Sequence, residues 1–396
     1  MKITRIETIC IAEFSNLLFV RLHTDAGLVG LGETYYTPQA TEGLIHEVCA
    51  PLLLGHNALD VEWHWRRLYE LTHIYGNRGA EMRAISALEV ALWDILGQHA
   101  NLPIYRVLGG ASRDKIAIYN TCGGPLYGQG APAEDRVGAT STRGRYEDLE
   151  AFLNRADELA LDLRAEGISA MKIWPFDSYA TKTNGTHISF ADLDRGLEPV
   201  KKIRDAVGLD MEIMVEGHGL WKLPAATRIA AALEPYKPMW LEDFVKPDKI
   251  STLAQLRRAT SIPICGSELA LTRYQVADLL EQEAVDIVMT DVTWTGGIAE
   301  SKLIASMAET HNLPFAAHDC TGPVTLFASI HLAIHCPNTL IQETVRAYYY
   351  GFYRDLITVQ PQIENGYVYA PEGPGLGTQL RPEIFERSDI RVRESS

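Results

Sequence analysis

Cysteine is scarce in this sequence and arranged for no chemistry. The six residues at 10, 49, 122, 265, 320 and 336 form no CxxC pair and no zinc-type spacing, which leaves neither a disulfide scaffold nor a thiolate metal site to build on. Basic residues are also short. Lys and Arg number 36 against 51 Asp and Glu, a net charge of −15, and no basic cluster interrupts the acidic excess. A binder of phosphate backbones needs such a cluster, so nucleic acid is not an expected partner. No apolar run approaches the ~18 residues of a membrane helix. The first ten residues carry Lys2, Arg5 and Glu7 in place of an apolar signal core, so the expectation is a cytoplasmic protein without a membrane partner. Gly27, Gly30 and Gly32 depart from the order of a dinucleotide fingerprint and read as sheet and turn positions.

What the chain has instead is one construction, repeated. Residues 211–215 form an apolar run that ends in Glu216-Gly217-His218. Glu216 and His218 stand two apart, so both leave an extended strand on one face. Further apolar runs end in Glu242, Glu268, Asp291, His318 and Glu343, at intervals of 26, 26, 23, 27 and 25 residues. Segments of helical character, such as 225–233 and 272–283, lie between them. A strand, a helix and two loops need that length, the repeat of a (β/α)8 barrel of about 250 residues. Such barrels place their active sites at the C-terminal ends of the strands, where each of these polar residues falls. The first two barrel strands are read at 116–121 and 169–174, each followed by a long polar stretch, 122–145 and 175–191. Long irregular stretches inside a compact domain are more often lids or binding loops than idle ones. Ahead of the barrel, residues 3–36 hold two or three strands, and helices are expected at 41–54, 61–72 and 83–99. Strands first and helices after describe a separate α+β domain.

Glu216, Glu242 and Glu268 would come from three consecutive strands and converge. Three carboxylates at one point repel one another unless a hard divalent cation sits among them. With no cysteine or clustered histidine nearby, oxygen donors favour Mg2+ over zinc. Asp243 and Asp210 are weaker candidates: Asp243 falls on the face opposite Glu242 if the strand continues, and Asp210 lies at the strand's wrong end.

Residues 86–97 (SALEVALWDILG) run into 102–110 (LPIYRVLGG). This stretch resembles the helix-and-loop signature of the enolase superfamily, mandelate racemase subgroup, and the ordered strand-end residues match that family one by one over nearly the whole chain. The resemblance implies a modified (β/α)8 barrel of residues 116–349, capped by an α+β domain of residues 1–115 that the tail, about 350–396, completes. It implies one Mg2+ per subunit on Glu216, Glu242 and Glu268. Neighbouring strand ends can bring Asp291 to His318, where a carboxylate orients the ring and raises its basicity, and the family pairing implies the same dyad. Lys172 matches the first lysine of the family's Lys-x-Lys pattern, but the second, a base in the racemases, is Trp174 here. Glu343 resembles the family carboxyl that hydrogen-bonds the enolate.

The chemistry the resemblance implies is removal of the proton α to a carboxylate, through an enediolate. The expected activity is Mg2+-dependent dehydration of an aldonate-type sugar acid to its 2-keto-3-deoxy product. His318 would take the α-proton, and His218, for which no acidic partner is readable, would protonate the departing β-hydroxyl. Two alternatives stand beside it. A racemase or epimerase needs a base on each face, and Trp174 argues against it. A sensor or structural scaffold that had lost the chemistry would have lost some of these residues, and all are present. Family members often assemble as homo-oligomers, which is the expectation here; the sequence carries no code for the substrate's length or stereochemistry.

Overall fold

The computed structural model describes residues 1–127 and 146–396. Most of the expected covering loop at 122–145 therefore lies outside the described residues. The chain begins with three antiparallel strands, Ile3–Ile11 (β1), Leu17–Thr24 (β2) and Val29–Tyr35 (β3), and the last strand of the chain, Ile390–Ser395, returns to pair with β1. The helix Ala80–Ala100 lies directly on this sheet, which explains the glycines of β3. A Cβ at Gly30 would meet the carbonyl oxygen of Ala91 at 2.0 Å, and one at Gly32 that of Ala87 at 1.9 Å. The expected helices at 61–72 and 41–54 both form, the first as Val61–Thr72 and the second as a continuous helical run, Pro38–Leu44, Ile45–Cys49 and Ala50–Leu53, whose middle segment is a π-helix.

Eight parallel strands follow: Lys115–Thr121 (β4), Ala170–Ile173 (β5), Glu212–Glu216 (β6), Trp240–Glu242 (β7), Ile264–Gly266 (β8), Ile287–Asp291 (β9), Phe315–His318 (β10) and Thr339–Thr344 (β11). They pair in sequence order, and β11 pairs with β4 to close the barrel. Strands covered by helices on one side and by the packed interior on the other are apolar along their length, as every residue of β9 is buried. Tyr119, Met214, Trp240, Cys265, Met289 and Ile341 fill the interior, so the barrel is a core and not a pore. Its register sets the candidate residues side by side: Thr121 beside Lys172, Glu216 beside Glu242, and Asp291 beside His318. The tail past 350 is more ordered than its glycines suggest, with Tyr367–Tyr369 adding an antiparallel strand to β4.

Two buried acids dock the N-terminal domain on the mouth of the barrel. Glu33 of β3 accepts from the Thr325 hydroxyl at 2.7 Å and from the backbone N–H groups of Val324 and Thr325 at 3.1 Å each. Glu89 accepts from the N–H groups of Ile298 and Ala299 at 2.7 and 2.8 Å. Each carboxyl thus meets the free donors at the start of a barrel helix, Pro323–His335 for Glu33 and Ile298–Thr310 for Glu89. Burial pushes them up to about 7 and about 8 respectively, against the opposing pull of those hydrogen bonds. Among the described residues no helix is long and apolar enough to cross a membrane.

Candidate active site

The turn after β6 builds the first wall of the site. Glu216 is buried, and its Oε1 accepts from the backbone N–H groups of Gly217 at 2.9 Å and His218 at 2.5 Å. To wrap the carboxylate this way, the chain turns through His218 at φ 47° and Gly219 at φ 64°. Position 217 admits only glycine, because a Cβ there would meet the Cα of Phe244 at 2.8 Å.

Glu216, Glu242 and Glu268 come together as expected. One carboxylate oxygen of each lies within 4.8 Å of the others, and all three are buried. Burial, then the charges of Glu242 and Glu268, push the Glu216 carboxyl well above the usual carboxylate range. Oε2 of Glu268 is buried and has no hydrogen-bond partner among the described residues. Three hard oxygen donors with an unsatisfied buried oxygen among them fit Mg2+, and without a soft ligand they fit zinc poorly. Asp243 departs from its expected place. It follows β7 at φ 41°, outside extended geometry, so the strict alternation of a strand stops at Glu242. Its carboxyl turns inward, where Oδ2 accepts from the Ser267 hydroxyl at 2.7 Å. Burial, then the neighbouring Glu268 charge, push the Asp243 carboxyl well above the usual carboxylate range. Asp210 is exposed at the far end of the strand.

Lys172 is not the solvated lysine that a barrel mouth suggests. It is 3% exposed, with Nζ bonded to Glu242 Oε1, 2.9 Å from Glu343 Oε1 and 3.8 Å from Glu216 Oε2. Burial alone would favour its neutral form, but Glu242 and Glu343 hold the ammonium in place. Glu343 accepts from the Thr121 hydroxyl and, at 2.7 Å, from the backbone N–H of Asp319. Burial opposes its charge, yet Lys172, His318 and these donors hold the carboxyl down at about 2. Asp319 contributes that backbone group and does not line the cavity.

His318 and Asp291 meet as expected, Nδ1 to Oδ2 at 2.9 Å. Asp291 is fixed in turn by the N–H and hydroxyl of Thr293 at 2.8 and 2.9 Å. Burial works against a charged imidazole, but Glu343, the hydrogen bond to Asp291 and Glu268 raise His318 to about 9.

His218 has the partner that the sequence did not disclose. Its Nδ1 lies 2.5 Å from Oδ2 of Asp177, which is buried in the short helix Asp177–Ala180, and Tyr127 Oη lies 3.2 Å from Nε2. Burial disfavours the charged ring, and Asp177 outweighs it, so His218 is raised from its usual value. Residues 175–191 therefore do not form a plain polar loop: one acid of that stretch is a buried member of the site. The signal was available as an acid three residues past a strand, behind Trp-Pro-Phe, but nothing in the sequence paired it with an imidazole 41 positions on.

A cavity of about 310 Å³ joins these groups, lined by Lys172, Glu216, Glu268, His218 and His318 from the barrel and by Tyr36 and Arg83 from the cap. Known families share this design. The mandelate racemase / muconate lactonizing enzyme N-terminal domain matches residues 8–109, and the enolase C-terminal domain-like family matches residues 155–384. The chain belongs to the enolase superfamily. Its fellow members include solved structures of the mandelate racemase subgroup. One, from Agrobacterium tumefaciens and carrying a succinimide residue, sodium and phosphate, is 44% identical, with a TM-score of 0.89 over 100% of this chain and 99% of that one. An enolase from Sargasso Sea environmental sequence is 42% identical, with a TM-score of 0.89 over 100% and 98% of the two chains. Among characterised superfamily members, the D-xylonate dehydratase of Haloferax volcanii is 30% identical, over 97% of this chain and 88% of its own. The arabinonate dehydratase of Saccharolobus solfataricus is 29% identical, over 93% and 90%.

Proposed function

We propose that this protein is a Mg2+-dependent hydro-lyase that converts a sugar acid to its 2-keto-3-deoxy acid. The observation that carries the reading is the pair of imidazole–carboxylate dyads, His318–Asp291 and His218–Asp177, in one cavity with Lys172 and the glutamate triad. The names of the relatives, dehydratases of xylonate and arabinonate, support the same class.

Glu216, Glu242 and Glu268 would hold the cation. When bound, it would supply the charge that offsets three carboxylates, draw His318 toward its neutral form, and stabilise negative charge developing on the substrate carboxylate. Lys172 binds and orients that carboxylate. His318 has Nδ1 committed to Asp291, so Nε2 accepts the proton from C2, and Asp291 stabilises the imidazolium that results. His218, with Nδ1 committed to Asp177, presents Nε2–H to the C3 hydroxyl, which leaves as water. The two steps are separable, which gives the test. His318→Asn should lose both C2 hydrogen exchange in D2O and dehydration. His218→Asn should lose dehydration and retain exchange, followed by NMR of a panel of aldonic and aldaric acids. Exchange that survives in His318→Asn but not in His218→Asn reverses the assignment.

One observation favours a second reading. A carboxylate behind His218 equips that ring as a base as well as an acid, so proton transfer on both faces of C2 would make the protein an epimerase. Scrambling of the C2 configuration by the wild type, without loss of water, would establish it.

A further inference from the structure

Besides its two histidines, the cavity is lined among the described residues by one lysine and one arginine, Lys172 and Arg83. Lys172 is committed to Glu242 and Glu343. Arg83 is not committed to any carboxylate. It rises from the cap helix Ala80–Ala100, and its one hydrogen bond among the described residues uses Nε, which donates to the carbonyl of Tyr35 at 2.8 Å. Its guanidinium carbon lies over the ring of Trp294, 4.5 Å from the centroid, and Trp294 in turn lies 5.1 Å from the ring of His318. Both terminal nitrogens are left without a protein acceptor among the described residues. A half-buried guanidinium held through Nε and packed on an aromatic ring feels the nearby charges of Asp291 and Glu81, but no carboxylate meets its terminal nitrogens among the described residues, and a bound anion would complete it.

The surroundings are built to hold this geometry. Tyr36 lines the same cavity, packs on Trp294 at 5.7 Å, and adopts φ 67°, with Thr37 beside it at φ 50°. Left-handed backbone at two successive non-glycine residues costs stability and persists where packing enforces it, commonly at a binding site.

We propose that Arg83 binds a second anionic group at the end of the substrate remote from C1, and that the substrate is a dicarboxylic sugar acid in preference to an aldonic acid. The inference rests on the dehydratase reading for its orientation. With C1 held by Lys172 at the barrel floor and C2 beside His318, the rest of the chain extends past Trp294 toward the cap. There the planar fork of two terminal NH2 groups matches a carboxylate. An aldonic acid offers a neutral hydroxymethyl group at that end, leaving the guanidinium uncompensated. A terminal phosphate shares the anionic chemistry and is separated from a carboxylate by the test.

The test compares kcat/KM of the wild-type holoenzyme for aldaric acids, each paired with the aldonic acid of the same configuration, and for 6-phospho-D-gluconate against D-gluconate. Arg83→Gln and Arg83→Lys follow, with thermal melts to certify folding. The expected result is a wild-type preference for the second anion that falls about 30-fold or more in Arg83→Gln and is partly restored in Arg83→Lys. A preference for the phosphate over every diacid would overturn the dicarboxylic assignment. Aldonic acids turned over as well as their paired diacids would overturn the inference and leave the dehydratase standing. An Arg83→Gln loss equal for both members of each pair would mean that the residue only holds the cap. Failure of every acid to lose water would remove the dehydratase reading and this inference with it.

Discussion

Asp177→Asn isolates the dyad that was not legible in the sequence. The substitution keeps the shape of the side chain and removes its charge from a buried site 2.5 Å from His218 Nδ1. A charge-assisted hydrogen bond of this kind contributes about 1.5–3 kcal/mol. If the bond sustains the imidazolium that donates to the leaving hydroxyl, its loss depletes that form by up to the same free energy, about 10–150-fold in rate at 1.4 kcal/mol per tenfold. The analogous carboxylate-to-amide change behind a catalytic histidine can reach about 10⁴-fold when it also imposes the wrong tautomer. The assay is NMR of substrate in D2O, reading water loss and C2 exchange from one sample. Dehydration should fall by at least tenfold, while exchange through His318 stays within a few-fold of wild type. Undiminished dehydration would show that Asp177 merely packs against the ring. An equal loss of exchange would place His218 on the α-proton and favour the epimerase.

Two further outcomes follow from the triad and its lysine. Mg2+ at a hundredfold excess over its dissociation constant should stabilise the folded protein by about 2.7 kcal/mol, read as a rise in Tm that Glu268→Gln largely abolishes; no shift in the wild type would remove the metal assignment. Lys172→Met should abolish turnover and also destabilise the metal-free protein by about 3–5 kcal/mol, because it leaves Glu242 and Glu343 without the cation they face. Wild-type stability in that variant would mean that the carboxylates find their compensation elsewhere.

The difference between what could and could not be read in the sequence is one of distance and periodicity. The barrel was legible because its repeat of some two dozen residues ends each time in a polar group, and parallel register then carries one strand end to the next. Glu216 beside Glu242 and His318 beside Asp291 follow from that register alone. The direction of Asp243 was not legible, because alternation holds only within a strand and β7 ends at Glu242. The burial of Lys172 was not legible, because exposure at a barrel mouth depends on the cap above it, which a strand pattern does not describe. Arg83 sits at the start of a largely apolar, buried helix, and nothing local marks it as a residue of the barrel mouth.

The one departure from the family pattern and the one unforeseen dyad are parts of a single arrangement. Where racemases carry a second lysine, β5 is followed by Trp174, which is buried against Tyr127 and Phe152 at 4.8 and 5.1 Å. An indole cannot exchange a proton with C2. It can fix a neighbour, and its ring meets His218 edge-on, 5.7 Å between centroids and 80° between planes. Three residues further on, the same segment supplies Asp177 to the other side of that imidazole. The chain after β5 has therefore given up a base of its own and become the seat of a histidine from the next strand. That histidine leaves the barrel two residues past Glu216, which ends one of the three strands that supply the triad, so it lies beside the candidate metal site. An indole at 174 and a carboxylate behind His218 both support the proposed proton donation at C3 over a second base at C2.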